Sequence, residues 1–242
     1  METQEYTSGL LERVSALNWK AIQSELQERG CASTGQLLTK SECAELIGGY
    51  GAEDAFRSRV IMARHGFGQG EYKYYKYPLP ALIAGLRTEL YPFLASVANS
   101  WSEMLGGGHR FPVQHEAYLR QCHKAGQRLP TPLLLKYGEG DYNCLHRDLY
   151  GEMVFPLQVT FLLSAPDQEF TGGNFVLTEQ RPRMQSRVEV APLQRGEAVI
   201  FAVNERPVRG KRGVYRVAMR HGVSRIRSGQ RFTLGIIFHD AK

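Results

Sequence analysis

Beyond residue 132 the chain breaks into short apolar runs cut by glycine and proline, with no helical period of useful length between them. Residues 133–137, 156–164, 174–178, 198–203, 214–226 and 231–238 read as strands. Gly138, Gly140, Pro166, Gly172-Gly173, Pro192, Gly196, Gly210 and Gly229 punctuate them. Many short strands with turn signals must bury their apolar faces against one another, which predicts a sandwich, jelly roll or barrel. The first half reads differently. Leu10, Leu11, Val14, Leu17, Ile22 and Leu26 recur at helical spacing, predicting one or two helices over 8–29. Thr39 with Glu42 three residues on forms a helix-start signature. Residues 80–105 predict a helix with Pro80 at its start and a kink or break at Pro92. A short helix is expected near 114–124, and short strands near 59–64. The expected fold class is mainly β with N-terminal helices. Residues 1–132 form a mainly helical support and 133–242 the β core, integrated as one domain.

Hydrophobic residues are 43% and charged residues 22% of the 242, which excludes disorder as the main theme. No apolar run approaches ~18 residues, so no membrane-spanning helix is expected. Met1-Glu2-Thr3-Gln4-Glu5 is acidic and polar, unlike a secretory signal. Cys31, Cys43, Cys122 and Cys144 contain no C-x-x-C pair, so free thiols in a reducing cytoplasm are expected. The net charge of +6 is concentrated. Residues 181–231 hold Arg181, Arg183, Arg187, Arg195, Arg206, Arg209, Lys211, Arg212, Arg216, Arg220, Arg225, Arg227 and Arg231 against Glu189, Glu197 and Glu205. Arginine suits bidentate contact with phosphate, so this stretch is a candidate nucleic-acid face. Basic strand edges that discourage mispairing would show the same composition.

His146-Arg147-Asp148 follows a glycine-rich turn. On an extended backbone residues i and i+2 share a side, so the imidazole and carboxylate can converge on one metal. His221 lies on a later strand. Two histidines and a carboxylate with open positions form the ligand set of non-haem Fe(II) oxygenases. Arg231 and Thr233 alternate with Phe232 and Leu234, giving the last strand one polar and one apolar face. An inward arginine without a partner would cost several kcal/mol, and a dicarboxylate would satisfy it. A three-residue hairpin loop over Arg227-Ser228-Gly229 would pair His221 with Gly235 and put His221, Arg231 and Thr233 on one face.

The order H-x-D, distal histidine, then arginine ten residues later with threonine at plus two resembles the Fe(II)/2-oxoglutarate-dependent oxygenases. Residues 137–148 (YGEGDYNCLHRD) and Gly172-Gly173-Asn174-Phe175 are similar to prolyl-hydroxylase-like members. Stretches 56–72, 130–152, 171–187 and 220–241 resemble a bacterial 2-oxoglutarate oxygenase family labelled as oxidative demethylation of damaged DNA. The resemblance implies a double-stranded β-helix, a jelly-roll variant. It implies His146, Asp148 and His221 on Fe(II), and Arg231, helped by Thr233, on the distal carboxylate of 2-oxoglutarate. It implies Tyr137 as a further co-substrate contact. Dioxygen would convert 2-oxoglutarate to succinate and carbon dioxide while the substrate is hydroxylated, and a hydroxylated N-methyl group would shed formaldehyde. The Arg231 spacing follows the prolyl-hydroxylase pattern rather than that of the best-known alkylation-repair oxygenases. Three substrate classes therefore stand: an alkylated nucleobase in DNA or RNA, a prolyl or other protein side chain, and a small molecule.

Other residues carry weaker signals. The segment 71–77 interleaves tyrosine and lysine, as a base-stacking surface or as strand aromatics packing on the barrel. Gln158 and Thr160 alternate with apolar residues and are placed to face the site. Cys144 reads as a small buried residue, and Arg147 and Tyr150 flank the ligand set. His65, His109, His115, His123 and His239 lack metal spacing and read as surface or core histidines.

Overall fold

The computed structural model describes residues 2–211 and 213–242; Met1 and Arg212 lie outside the described residues, as do the side chains of residues 2–8. Helices α1 (Glu2–Ser15) and α2 (Trp19–Arg29) are separate, because the Asn18 carboxamide caps the second by accepting from the Ala21 N–H. Helix α3 (Lys40–Gly48) begins on Thr39 with the reciprocal Thr39–Glu42 bonds expected of that pair. Helix α4 (Ala81–Met104) runs through Pro92 without the break that the proline could have caused. Its buried face, Leu86, Leu90 and Leu94 among others, spans both sides of the proline, so packing outweighs the lost hydrogen bond. Helix α5 spans His115–Lys124. No helix among the described residues is long and apolar enough to cross a membrane.

The strands are β1 (Cys31–Gln36), β2 (Phe56–Ile61), β3 (Gly68–Gln69), β4 (Glu71–Tyr75), β5 (Leu133–Tyr137), β6 (Tyr142–His146), β7 (Leu157–Leu162), β8 (Phe170–Gly172), β9 (Phe175–Gln180), β10 (Arg187–Ala191), β11 (Glu197–Ala202), β12 (Glu205–Gly210), β13 (Gly213–Val223), β14 (Ile226–Gly229) and β15 (Arg231–Ile236). The larger sheet has the order β1-β11-β7-β15-β5-β4-β2. The second has the order β10-β9-β13-β6-β3, with β12 also on β13. Their inner faces meet: Phe175 on β9 lies 4.9 Å from Phe201 on β11, ring centre to ring centre. This is the jelly-roll, double-stranded β-helix architecture. The larger sheet crosses residue 132, since β1, β2 and β4 come from the N-terminal half, with β1 paired to β11, β4 to β5 and β2 to β4.

The last strands do not form the predicted hairpin. β13 pairs with β9 and β6 in one sheet, whereas β15 pairs with β5 and β7 in the other. Between them β14 pairs with β8, and Gly229 takes a left-handed φ of 79° as the chain changes sheet. His221 and Arg231 therefore approach from opposite walls of the barrel, not from one hairpin face.

Candidate active site

His146 ends β6, His221 lies on β13, and the two residues are directly paired across the sheet. Asp148 follows β6 on an irregular segment that turns its carboxylate back toward both rings. The three ligand-type atoms lie within 4.8 Å of one another. His221 Nε2 is 3.3 Å from Asp148 Oδ2, and His146 Nε2 is 3.5 Å from Asp148 Oδ1. His146 Nδ1 lies 2.8 Å from the Cys144 carbonyl, so Nδ1 carries the proton and Nε2 presents its lone pair. Tyr150 Oη donates to Asp148 Oδ1 at 2.9 Å, and Tyr74 Oη lies 3.0 Å from Tyr150 Oη. Burial alone would raise the Asp148 carboxyl, but the two imidazoles more than offset it and hold Asp148 well below the usual carboxylate range. Burial lowers His221 below the ordinary histidine value despite Asp148. For the less enclosed His146, burial is outweighed by Asp148 and its pKa is raised.

The three residues line a cavity of about 220 Å³ together with Tyr137, Gln158, Thr160, Arg231 and Thr233. Arg231 is 1% exposed, and its Nε and Nη1 have no hydrogen-bond partner. Burial lowers its pKa to about 10, with Tyr137 acting the other way. The Tyr137 ring, on the strand paired with Arg231, lies 5.6 Å from the guanidinium carbon. The Gln158 Oε1 atom is also buried and unpartnered. Such groups are costly unless a ligand satisfies them. The cavity thus has two nitrogens and a carboxylate at one end, and a buried cation with unused donors. This donor set fits a divalent iron with open positions and a bound dicarboxylate.

Asn143 also lines the cavity, three residues before His146, and the sequence did not suggest it. Strict alternation would put the two on opposite faces. The β6–β13 register slips between the His221–His146 and Val223–Asn143 pairs, and this bulge turns both inward. Gly222 permits it, because a Cβ there would lie 2.6 Å from the Asn143 carbonyl oxygen. Its φ-independent role as a space-giving residue is the one available sequence signal.

One expectation changes and others are resolved. Cys144 is exposed rather than buried, and its carbonyl rather than its thiol serves the site. Within 71–77, β4 is an interior strand; Lys73 is buried and donates to Glu53 and the Tyr50 carbonyl, so it faces no phosphate. Part of the basic stretch is held in internal ion pairs. Glu179 pairs with Arg181, Arg187 and Arg206, Glu169 with Arg195, and Glu205 with Arg216. His115 and His239 are core residues, and His65 is exposed.

Fold and site together define the class: the chain is an oxygenase of the 2-oxoglutarate/Fe(II) type. A family model described as an oxygenase catalysing oxidative methylation of damaged DNA matches residues 70–241, and the chain belongs to that family. An uncharacterized protein of Mycobacterium tuberculosis, in strains H37Rv and CDC 1551, is 40% identical over 229 residues, covering 95% of this chain and 93% of the relative. Among solved structures, a 2OG-Fe(II) oxygenase family oxidoreductase from Burkholderia pseudomallei shares the fold at TM-score 0.55 and 14% identity, over 93% of this chain and 92% of that one. A Pseudomonas putida prolyl-4-hydroxylase does so at TM-score 0.52 and 13% identity, over 93% and 99%. A Trichoplax adhaerens prolyl hydroxylase, in complex with a hypoxia inducible factor peptide fragment, does so at 0.54 and 14%, over 99% and 96%.

Proposed function

We propose that His146, Asp148 and His221 hold Fe(II), and that Arg231, with Thr233 and Tyr137, holds the distal carboxylate of 2-oxoglutarate. The observation that carries this assignment is the placement of the three ligand atoms and the unpartnered Arg231 guanidinium on one cavity. Iron, when bound, supplies the activation of dioxygen that couples 2-oxoglutarate decarboxylation to substrate oxidation. The protein's residues orient and exclude. Cys144 and Tyr150 fix the His146 ring and the Asp148 carboxylate, respectively. Arg231 fixes the co-substrate by charge-assisted bonds, each worth about 1.5–3 kcal/mol. The apolar walls Leu133, Leu135 and Phe175 limit water at the reacting atoms.

For the substrate we infer an alkylated nucleobase in DNA or RNA. The family description points there, and the atom balance decides the direction of change. An N-methyl group, 2-oxoglutarate and dioxygen give an N-hydroxymethyl group, succinate and carbon dioxide; loss of formaldehyde then leaves N–H. The net result is demethylation. A reducing cytoplasmic setting suits the four free thiols.

The test is anaerobic loading with Fe(II) and 2-oxoglutarate, followed by air, for the wild type and His221→Ala. Succinate that requires both ligands and disappears in the variant is expected, with formaldehyde when a methylated oligonucleotide is present. A wild type that binds neither metal nor 2-oxoglutarate would overturn the site assignment.

A further inference from the structure

The strand that carries His146 also holds an aromatic rim on the cavity. The Cys144 N–H donates to the Phe67 carbonyl at 2.9 Å, which ties Phe67 to the backbone two residues before His146. β3 continues this pairing through Gly68 and Asn143. Gly68, at φ 126°, permits the close approach, since a Cβ there would run into the Tyr142 carbonyl. Phe67 lines the cavity yet remains 47% exposed. The His65 imidazole is stacked beside it, 5.3 Å between centroids and 24° between planes. Leu149, 49% exposed, lines the same cavity. So does Arg147, which is exposed and has no ion-pair partner among the described residues.

Single exposed apolar side chains need no explanation. Here an aromatic ring, a leucine and an unpaired arginine share the cavity that holds the ligand set. A planar ring with an anionic group beside it matches that combination. Within the 181–231 stretch Arg181, Arg187, Arg195, Arg206 and Arg216 are held in internal ion pairs, whereas Arg147 lines the cavity of the reacting centre itself.

We propose that Phe67, backed by His65, and Arg147 form the substrate-recognising rim: Phe67 stacks on the methylated base of a single-stranded nucleic acid, and Arg147 pairs with an adjacent phosphate. This rests on the nucleobase reading above. Stacking on an aromatic side chain tolerates any base, and an arginine–phosphate contact reads no sequence. Selection for methylation would therefore come from the cavity, while the rim supplies affinity.

The probe is a fluorescein-labelled single-stranded oligodeoxynucleotide with one N-methylated adenine, titrated anaerobically with the Fe(II)- and 2-oxoglutarate-loaded protein. Anisotropy gives Kd, and formaldehyde release after admitting air gives turnover. Phe67→Ala is expected to raise Kd about tenfold, Phe67→Leu nearly as much, and Phe67→Tyr little, because the ring face is what binds. Arg147→Ala is expected to weaken methylated and unmethylated strands alike and to lower the slope of log affinity against log salt by about one. Circular dichroism checks that each variant is folded. If the wild type binds and demethylates the strand but Phe67→Ala and Arg147→Ala do the same, the rim assignment is overturned and the nucleobase reading stands. If the wild type makes succinate but neither binds nor demethylates the strand, both fall and only the oxygenase class remains.

Discussion

Two buried arginines show how differently this molecule uses the same side chain. Arg87 and Arg231 are each 1% exposed. Arg87, on α4, donates from Nε to the Ile237 carbonyl at 2.8 Å, from Nη1 to Tyr77 at 2.9 Å and from Nη2 to Asp240 at 2.7 Å. Asp240 in turn accepts from Tyr77 and contacts His123 Nε2 at 2.8 Å. That knot fastens the C-terminal residues under the helices. Arg231, on the inner face of the larger sheet, meets aromatic rings and leaves Nε and Nη1 unused. A buried cation whose donors are all spent is an anchor. One whose donors are kept free is stability withheld until a ligand arrives.

Substituting each arginine tests that contrast most directly. Arg87→Met should cost about 3–5 kcal/mol in urea unfolding, because it leaves Asp240 buried without its main partner. Arg231→Met should cost little stability or none, since no protein partner is orphaned. Its effect should appear as a loss of about 100-fold or more in 2-oxoglutarate affinity by calorimetry, the scale of two charge-assisted bonds. Equal losses of stability in the two variants would erase the distinction. The same contrast predicts that 2-oxoglutarate at a hundred times its Kd stabilises the metal-loaded wild type by about 2.7 kcal/mol and leaves the Arg231 variant unmoved at that concentration.

The anchored region should also respond to acid. Burial, aided by the Arg87 charge, lowers His115 to about 3 and His239 to about 4 from an ordinary 6.5. Phe155 N–H donates to His239 Nδ1 at 3.2 Å, which requires the neutral ring. Between pH 6.5 and 4 the unfolded chain therefore holds more protons than the folded one. Stability is fully present above 6.5 and falls as pH drops, by up to about 1.4 kcal/mol per pH unit for each histidine. Urea midpoints at a series of pH values check the sign; a rise on acidification would contradict it. The smallest expected effect is at the site itself. Tyr150→Phe removes the bond to Asp148 Oδ1 and should weaken Fe(II) binding about tenfold while barely moving the Tm.

The readable parts of the site were those written in local order. The later histidine and the Arg231/Thr233 alternation each need only a strand's period of two, and H-x-D needs only two neighbours in sequence, although Asp148 itself lies beyond the end of β6. The Thr39 cap and the strands at 133–137 and 231–236 were legible for the same reason. Asn143 was not, because a bulge shifts the face it points to and a bulge depends on the partner strand. Tyr150 bonds Asp148 from a neighbouring loop and Tyr74 bonds Tyr150 from a distant strand, and nothing in either segment announces the other. Pro92 does not end its helix, because local propensity knows nothing of the core beneath it.

By itself, then, the sequence determined the residue types, the strand alternation and the chemistry available at His146, Asp148, His221 and Arg231. Tertiary structure alone decided that His221 and Arg231 face each other from opposite sheets, and that the chain between them is no hairpin. It also decided which cations are spent and which remain open. Glu179 is two residues from Arg181 and 27 from Arg206, yet it pairs with both. Charge runs describe composition along the chain, whereas ion pairing depends on distance through space, and only the folded sheets set that distance.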